Sequence, residues 1–341
     1  MNKIILYILS IAALIVLTTS SCENDVDIND EYKEIGIVYG LLDFSETQHY
    51  IKLTKAFQTE GNVYLAAADE ANSQYDPKDI EMYIEVFSKY GDYLRDIPLD
   101  TVLITNKDTG AFFFPNQLVY ATPANVSIHP SDIYKLKIKN LVNGNLIESE
   151  TNLVQDFSIV KPRSLVKLID FSSKYPTHLE WHSAINGKLY QVTIRYYYTD
   201  IPANGPTVSH RIDWVLPTRR SERTDGTEKV SLDYAGLGFY DLLASKVPLP
   251  EAGMKRYSDS VEYVFTVAHE NFSIYLDVNK PSTSVVQERP SFSNIGNGIG
   301  LFSSRYNKIR PFVGLSQKSL DSLYNGSKTL HLGFVDRPFT P

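Results

Sequence analysis

Apolar and polar side chains alternate at every second position through much of this chain, and no other feature constrains its fold as strongly. Successive residues of a strand point to opposite faces, so an alternating run buries one face and wets the other. Residues 134–139 (YKLKIK) are the cleanest instance and residues 189–198 (LYQVTIRYYY) the longest. In the longer run Tyr190, Val192, Ile194, Tyr196 and Tyr198 share one side, read as the core side. Leu189, Gln191, Thr193, Arg195 and Tyr197 take the other. Residues 35–42, 50–54, 80–90, 118–120, 145–152, 178–182, 209–216, 261–268 and 272–278 read as further strands. The 23 tyrosines and 16 phenylalanines suit such strands, where a ring packs and a phenol reaches water. Asn143-Gly144 and Asn186-Gly187 signal hairpins, because Asn-Gly tolerates positive φ at both central positions.

Helical signals are few. Residues 61–78 are polar and Ala-rich and allow a short helix stopped by Asp76-Pro77. Residues 234–246 have near-helical apolar spacing with Asp233 as N-cap, and residues 316–324 follow Ser316 as a second cap. No repeat of 20–50 residues is visible, which disfavours solenoids and propellers. The expected fold is mainly β. An immunoglobulin- or fibronectin-like antiparallel sandwich of about seven strands spans residues 34–160. A second β-rich domain with one or two short helices spans residues 161–341, the boundary marked by Pro162.

The amino terminus has a different logic. Lys3 supplies one positive charge, and residues 4–17 follow with none. A run of 14 is the length of a signal h-region and falls short of the roughly 20 residues of a membrane span. Small polar residues (Thr18, Thr19, Ser20, Ser21) precede Cys22, the single cysteine of 341 residues. Exported proteins usually use cysteines in disulfide pairs, so a lone one at this place reads as a lipidation site. Residues 1–21 are then a signal peptide, and Cys22 is the acylated first residue of the mature chain. Thr19 stands where the usual lipobox has leucine. The relaxed lipobox of Bacteroidota resembles this arrangement more closely than the enterobacterial form does. Residues 22–33 form an acidic tether carrying Glu23, Asp25, Asp27, Asp30 and Glu31, which resembles an export tag for the outer face of the outer membrane.

The net charge of −7 becomes −8 once Lys3 is removed, which argues against a nucleic-acid partner. Arg219, Arg220 and Arg223 cluster, but in the polar segment TRRSERTDGTEK, read as a solvated loop.

Four segments carry a resemblance: the Cys22 tail, IVYGLLDFSETQHYIKLTKAF, YKLKIKNLVNGNLIESETNLV and RPSFSNIGNGIGLFSSR. Together the chain is similar to a family of Bacteroidota lipoproteins classed as a domain of unknown function, often encoded beside TonB-dependent receptors. The resemblance implies immunoglobulin- or fibronectin-like β-domains and brings no catalytic residues with it.

Constellations for chemistry are sparse. Gly296-Asn-Gly-Ile-Gly300 has G-x-G-x-G spacing and a strand-like run after it, unlike the dinucleotide G-x-G-x-x-G that opens a helix. It reads as a turn or a site of close packing. The seven histidines are His49, His129, His178, His182, His210, His269 and His331. His178 and His182 share a strand face but lack an H-E-x-x-H pattern, so no metal is expected. No G-x-S-x-G elbow appears, and no cofactor is expected. Paired carboxylates of glycosidase type cannot be recognised without geometry, which leaves an enzyme with carboxylate chemistry as a third reading. The first is a non-enzymatic binding or assembly module, tethered by lipid to the outer membrane and partnered with a TonB-dependent receptor or another envelope protein, at the cell surface ahead of the periplasmic face. The second is a surface glycan-binding component of a nutrient-uptake system, motivated by Trp181, Trp214 and the tyrosine-rich strands.

Overall fold

Tyr134, Leu136 and Ile138 are buried and the lysines between them are not, so the alternation at residues 134–139 is one strand face packed on a core. The computed structural model describes residues 34–59, 61–105, 112–113, 115–280 and 291–336, and these are mainly β. Their strands are β1 Gly36–Leu42, β2 Tyr50–Lys55, β3 Ile80–Phe87, β4 Tyr93–Pro98, β5 Asp100–Ile104, β6 Gln117–Ala121, β7 Ile133–Asn140, β8 Leu146–Asn152 and β9 Ile159–Lys161. There follow β10 Leu168–Ile169, β11 Thr177–His182, β12 Gly187–Ile201, β13 Val208–Val215, β14 Arg219–Arg220, β15 Lys229–Tyr234, β16 Lys255–His269, β17 Gly298–Phe312 and β18 Gly314–Leu315. The helices are short: α1 Val63–Ala68, α2 Glu70–Ser73, α3 Gly238–Lys246, α4 Glu270–Val278 and α5 Gln317–Asn325. Cys22 lies outside the described residues.

One nine-stranded sheet runs β13-β12-β16-β17-β1-β2-β6-β5, with β14 also paired to β12. A four-stranded sheet, β4-β3-β7-β8, packs on its β1-β2-β6-β5 end as a sandwich, through Val38, Ile51, Ile84, Leu136, Ile138 and Phe302. A larger core gathers around Trp181, Tyr190, Val192, Ile194, Tyr196 and Phe265. It joins β12 and β16 to the three-stranded sheet β15-β11-β9 and to Phe239 and Leu243 of α3.

The great sheet is held together by a pairing between distant parts of the chain. β1 lies parallel to β17 in the register Gly36↔Gly298 to Leu42↔Ser304. The strand thus crosses the domain boundary expected near residue 160, and residues from Ile35 onward form one unit. Two glycines permit this approach. A Cβ on Gly298 would stand 2.8 Å from the Gly36 carbonyl oxygen, and one on Gly300 would stand 2.0 Å from that of Val38. Gly300 also has φ +121, which side chains resist. The glycine run of residues 296–300 is therefore a packing device.

Three local expectations are corrected. Residues 272–278 lie in helix α4: Phe272, Ile274, Leu276 and Val278 alternate as in a strand, but His269 caps a helix by accepting the Asn271 N–H at 3.2 Å. Asp233 belongs to β15, where Val230, Leu232 and Tyr234 turn inward, and the helix after it begins at Gly238 without a side-chain cap. Asn186-Gly187 turns with Asn186 at φ 62, yet β11 and β12 enter different sheets. The turn is shaped by crowding, since a Cβ at Gly187 would lie within 3 Å of Tyr190, Val267 and Ala184. Asn143-Gly144, by contrast, joins the paired strands β7 and β8, with Gly144 at φ +73. Ser316 caps α5 as expected, its hydroxyl accepting the Ser319 N–H.

Candidate binding groove

At the far end of β12 the core-facing row continues Tyr196, Tyr198, Asp200, so the alternation that packs rings also directs a carboxylate inward. Pairing then dictates its neighbours. Asp200 stands opposite Arg256 of β16, and Tyr198 opposite His210 of β13. Cross-strand partners lie within side-chain reach, so four functional groups meet. Arg256 Nε donates to Asp200 Oδ1 at 2.6 Å and Nη2 to Oδ2 at 2.9 Å, a bidentate pair. Nη1 donates to the carbonyls of Pro248 (2.9 Å) and Leu332 (2.7 Å). The guanidinium also lies 5.2 Å from the Tyr198 ring centroid and 5.6 Å from that of Phe334. Arg256 is 0 % exposed, and Asp200 is its ion-pair partner among the described residues.

His210 completes the arrangement. Its ring stacks on Tyr198 at 4.7 Å, nearly parallel, and Nε2 lies 3.1 Å from Asp200 Oδ2. Burial pushes the Tyr198 phenol up, opposed by the Arg256 cation. Outside this cluster a cavity of about 450 Å³ opens between β13 and the end of α3, lined by Tyr198, His210, Ile212, Asp213, Lys246 and Pro248. Asp213 is engaged by Arg195 (3.5 Å) and Arg211 (3.3 Å). Lys246, in the last turn of α3, has no ion-pair partner among the described residues. Among the described residues β13 is the terminal strand of the sheet, so one row of its backbone groups has no ladder partner there. The site can bind a chain segment or an anionic group.

No protein-family model matches the chain, and no curated protein matches it.

The residues singled out by sequence lie elsewhere. Trp181 is 0 % exposed in the larger core, against Tyr190 and Phe265. Trp214 is half-buried, its ring edge-on to Phe171 and Tyr234, and the buried Trp181 offers no stacking face. His178 and His182 do share a face of β11. His178 Nδ1 lies 2.6 Å from Asp233, and its Nε2 lies 3.5 Å from Glu180. Among the described residues no three ligating side chains are grouped to hold a metal. The arginine cluster, expected as a solvated loop, is partly structured: Arg219–Arg220 pair with β12, and Arg220 donates to Ser273 at 2.6 Å and pairs with Asp277. Among the described residues no helix is long and apolar enough to cross a membrane. His210 carried one usable signal: in SHRIDWV it falls in step with Ile212 and Trp214, on the inward face.

Proposed function

We propose that this chain is an outer-membrane lipoprotein that acts as a non-enzymatic binding or assembly module for another envelope protein. Residues 1–21 serve as its signal peptide, and acylated Cys22 holds it to the membrane at the cell surface. The resemblance to Bacteroidota lipoproteins makes a TonB-dependent receptor the first partner to test. The observation that carries the binding reading is the groove lined by His210 and Lys246 beside β13, a strand with no outer ladder partner among the described residues. An extended partner segment can add to such an edge while an acidic side chain meets Lys246. The buried Tyr198–Asp200–Arg256 cluster gives the groove a fixed floor.

The two halves of the reading are tested separately. Cys22→Ser is expected to move the protein from the membrane fraction to the soluble fraction, and unchanged fractionation overturns the anchor. Affinity purification of the lipidated chain from native membranes is expected to recover a partner that the double variant His210→Ala, Lys246→Glu does not retain. Equal recovery by both forms removes the groove from the account.

A further inference from the structure

The end of the sandwich from which the tether leaves is also an end with apolar tips. β1 begins there at Gly36, paired with Lys55 at the close of β2. The opposite sheet has the same end: a Cβ on Gly36 would touch Ile147, the second residue of β8. The β7–β8 turn and the connection from β2 to β3, which contains α1, therefore emerge together. Leu141 N–H donates to the Asp79 carbonyl and ties one to the other.

Both carry large apolar side chains into solvent. In the turn, Val142 is 74 % exposed and Leu141 lies beside it in the open. This is a held conformation, because Asn140 Oδ1 accepts the N–H groups of both Val142 and Asn143. On α1, Leu65 is 74 % exposed, flanked by the exposed Val63 and Tyr64. Turns and first helical turns at a water-facing end ordinarily carry polar residues, so two apolar tips on one end call for an apolar partner.

We infer that these tips rest in the interfacial region of the bilayer to which the chain is anchored. The inference rests on the lipid anchor proposed above. Eleven residues separate Cys22 from Glu34, where the described chain begins. Even fully extended, a segment of that length reaches no more than roughly 40 Å. The seven residues of β1 add roughly 23 Å to that path, so this end lies closer to the anchor along the chain than the other does. Asp69, Glu70 and Asp76 line a cavity at the same end, which suits zwitterionic head groups better than anionic ones. The β3–β4 turn, with Tyr90 at 80 % exposure, belongs to the opposite end, where β1 finishes and β7 begins.

The test uses the full lipidated chain. Cys22 is the only native cysteine and is consumed by acylation, so a second cysteine is a unique labelling site. Val142→Cys, Leu65→Cys and the control Tyr90→Cys are labelled with a nitrobenzoxadiazole dye in vesicles of phosphatidylethanolamine and phosphatidylcholine. Doxyl-lipid quenching is expected to be about threefold stronger at positions 142 and 65 than at position 90, with iodide quenching reversed. Equal quenching at all three positions, in protein that floats with the vesicles, overturns the inference and leaves the anchor standing. Protein that does not float refutes the anchor and the inference together. Protection at 142 that appears without vesicles and rises with protein concentration identifies a second copy of the chain as the occupant, and also overturns it.

Discussion

Replacing Asp200 by leucine removes both oxygens that hold the fully buried Arg256 guanidinium. Two of the four hydrogen bonds of that cation vanish, and the two that remain are to neutral carbonyls. Breaking a buried pair from one side typically costs about 3–5 kcal/mol, because a charge is left without its counter-ion. Unfolding some 300 residues releases roughly 0.6 kcal/mol/K near the midpoint, so the expected fall in Tm is about 5–8 °C. Arg256→Met strands the carboxylate instead, with His210 as its remaining partner, and is expected to cost somewhat less. The double variant Asp200→Leu, Arg256→Met removes both charges, and apolar replacement of a buried pair is often nearly neutral. Its stability should lie within about 2 kcal/mol of the parent, giving a coupling energy of at least ~2 kcal/mol in the double-mutant cycle. Urea titration of the four proteins measures this directly. Additive single effects, or a loss below about 1 kcal/mol for Asp200→Leu, would refute the claim that this pair is a dry, mutually dependent unit.

Three further outcomes are expected. Burial holds the imidazole pKa values of His49 and His269 below 6.5, against the opposing pull of Glu46 and Asp43 on the first and Glu270 on the second. Above pH 6.5 both folded and unfolded forms are neutral, so these groups leave stability unchanged. As pH falls through 6.5 the unfolded chain takes protons first, and stability drops by at most about 1.4 kcal/mol per pH unit per histidine until the folded values are reached. A urea midpoint that stays flat from pH 7.5 to 5 in the parent, or falls as steeply in His49→Gln, His269→Asn as in the parent, counts against this. Gly300→Ala drives a Cβ into the Val38 carbonyl and should cost at least about 2 kcal/mol and loosen β1 from β17, read as faster amide exchange in residues 36–42. Ser316→Ala removes the cap on the Ser319 N–H and should cost about 1 kcal/mol by urea titration, with Ser316→Asp close to neutral.

Strand identity was legible wherever one face is buried and the other wet, because a two-residue period then repeats the geometry of the pleat. Tyr190, Val192, Ile194, Tyr196 and Tyr198 are all buried, as their spacing implies. Residues 272–278 show where that signal misleads. Four alternating apolar residues fit a strand, but the deciding feature is the His269 imidazole as an N-cap, a role sequence patterns assign mainly to Ser, Thr, Asp and Asn. Beyond the β7–β8 hairpin at Asn143-Gly144, which strands become neighbours was not legible. β1 and β17 are separated by more than 250 residues, and the only local trace of their contact is a pair of glycines that equally suit a turn.

The groove follows from the same limit. Asp200, His210 and Arg256 are unremarkable in the linear sequence, each an ordinary polar residue near the end of an alternating run. Their chemistry arises only when β12 is placed between β13 and β16 in one particular register, which puts Tyr198 under His210 and Asp200 beside Arg256. A slip of one residue in either pairing would turn every side chain of the shifted strand to the other face and dissolve the cluster. The bulge between Tyr196 and Tyr198 in the β12–β16 ladder sets the last step of that register. The buried ion pair in turn penalises every other alignment, since a misregistered β16 would bury a guanidinium without a carboxylate. Groove and register therefore specify each other, and a variant that removes both charges should keep its stability yet lose uniqueness of pairing at the β12–β16 end, visible as amide exchange in residues 197–201 that accelerates while global unfolding does not change.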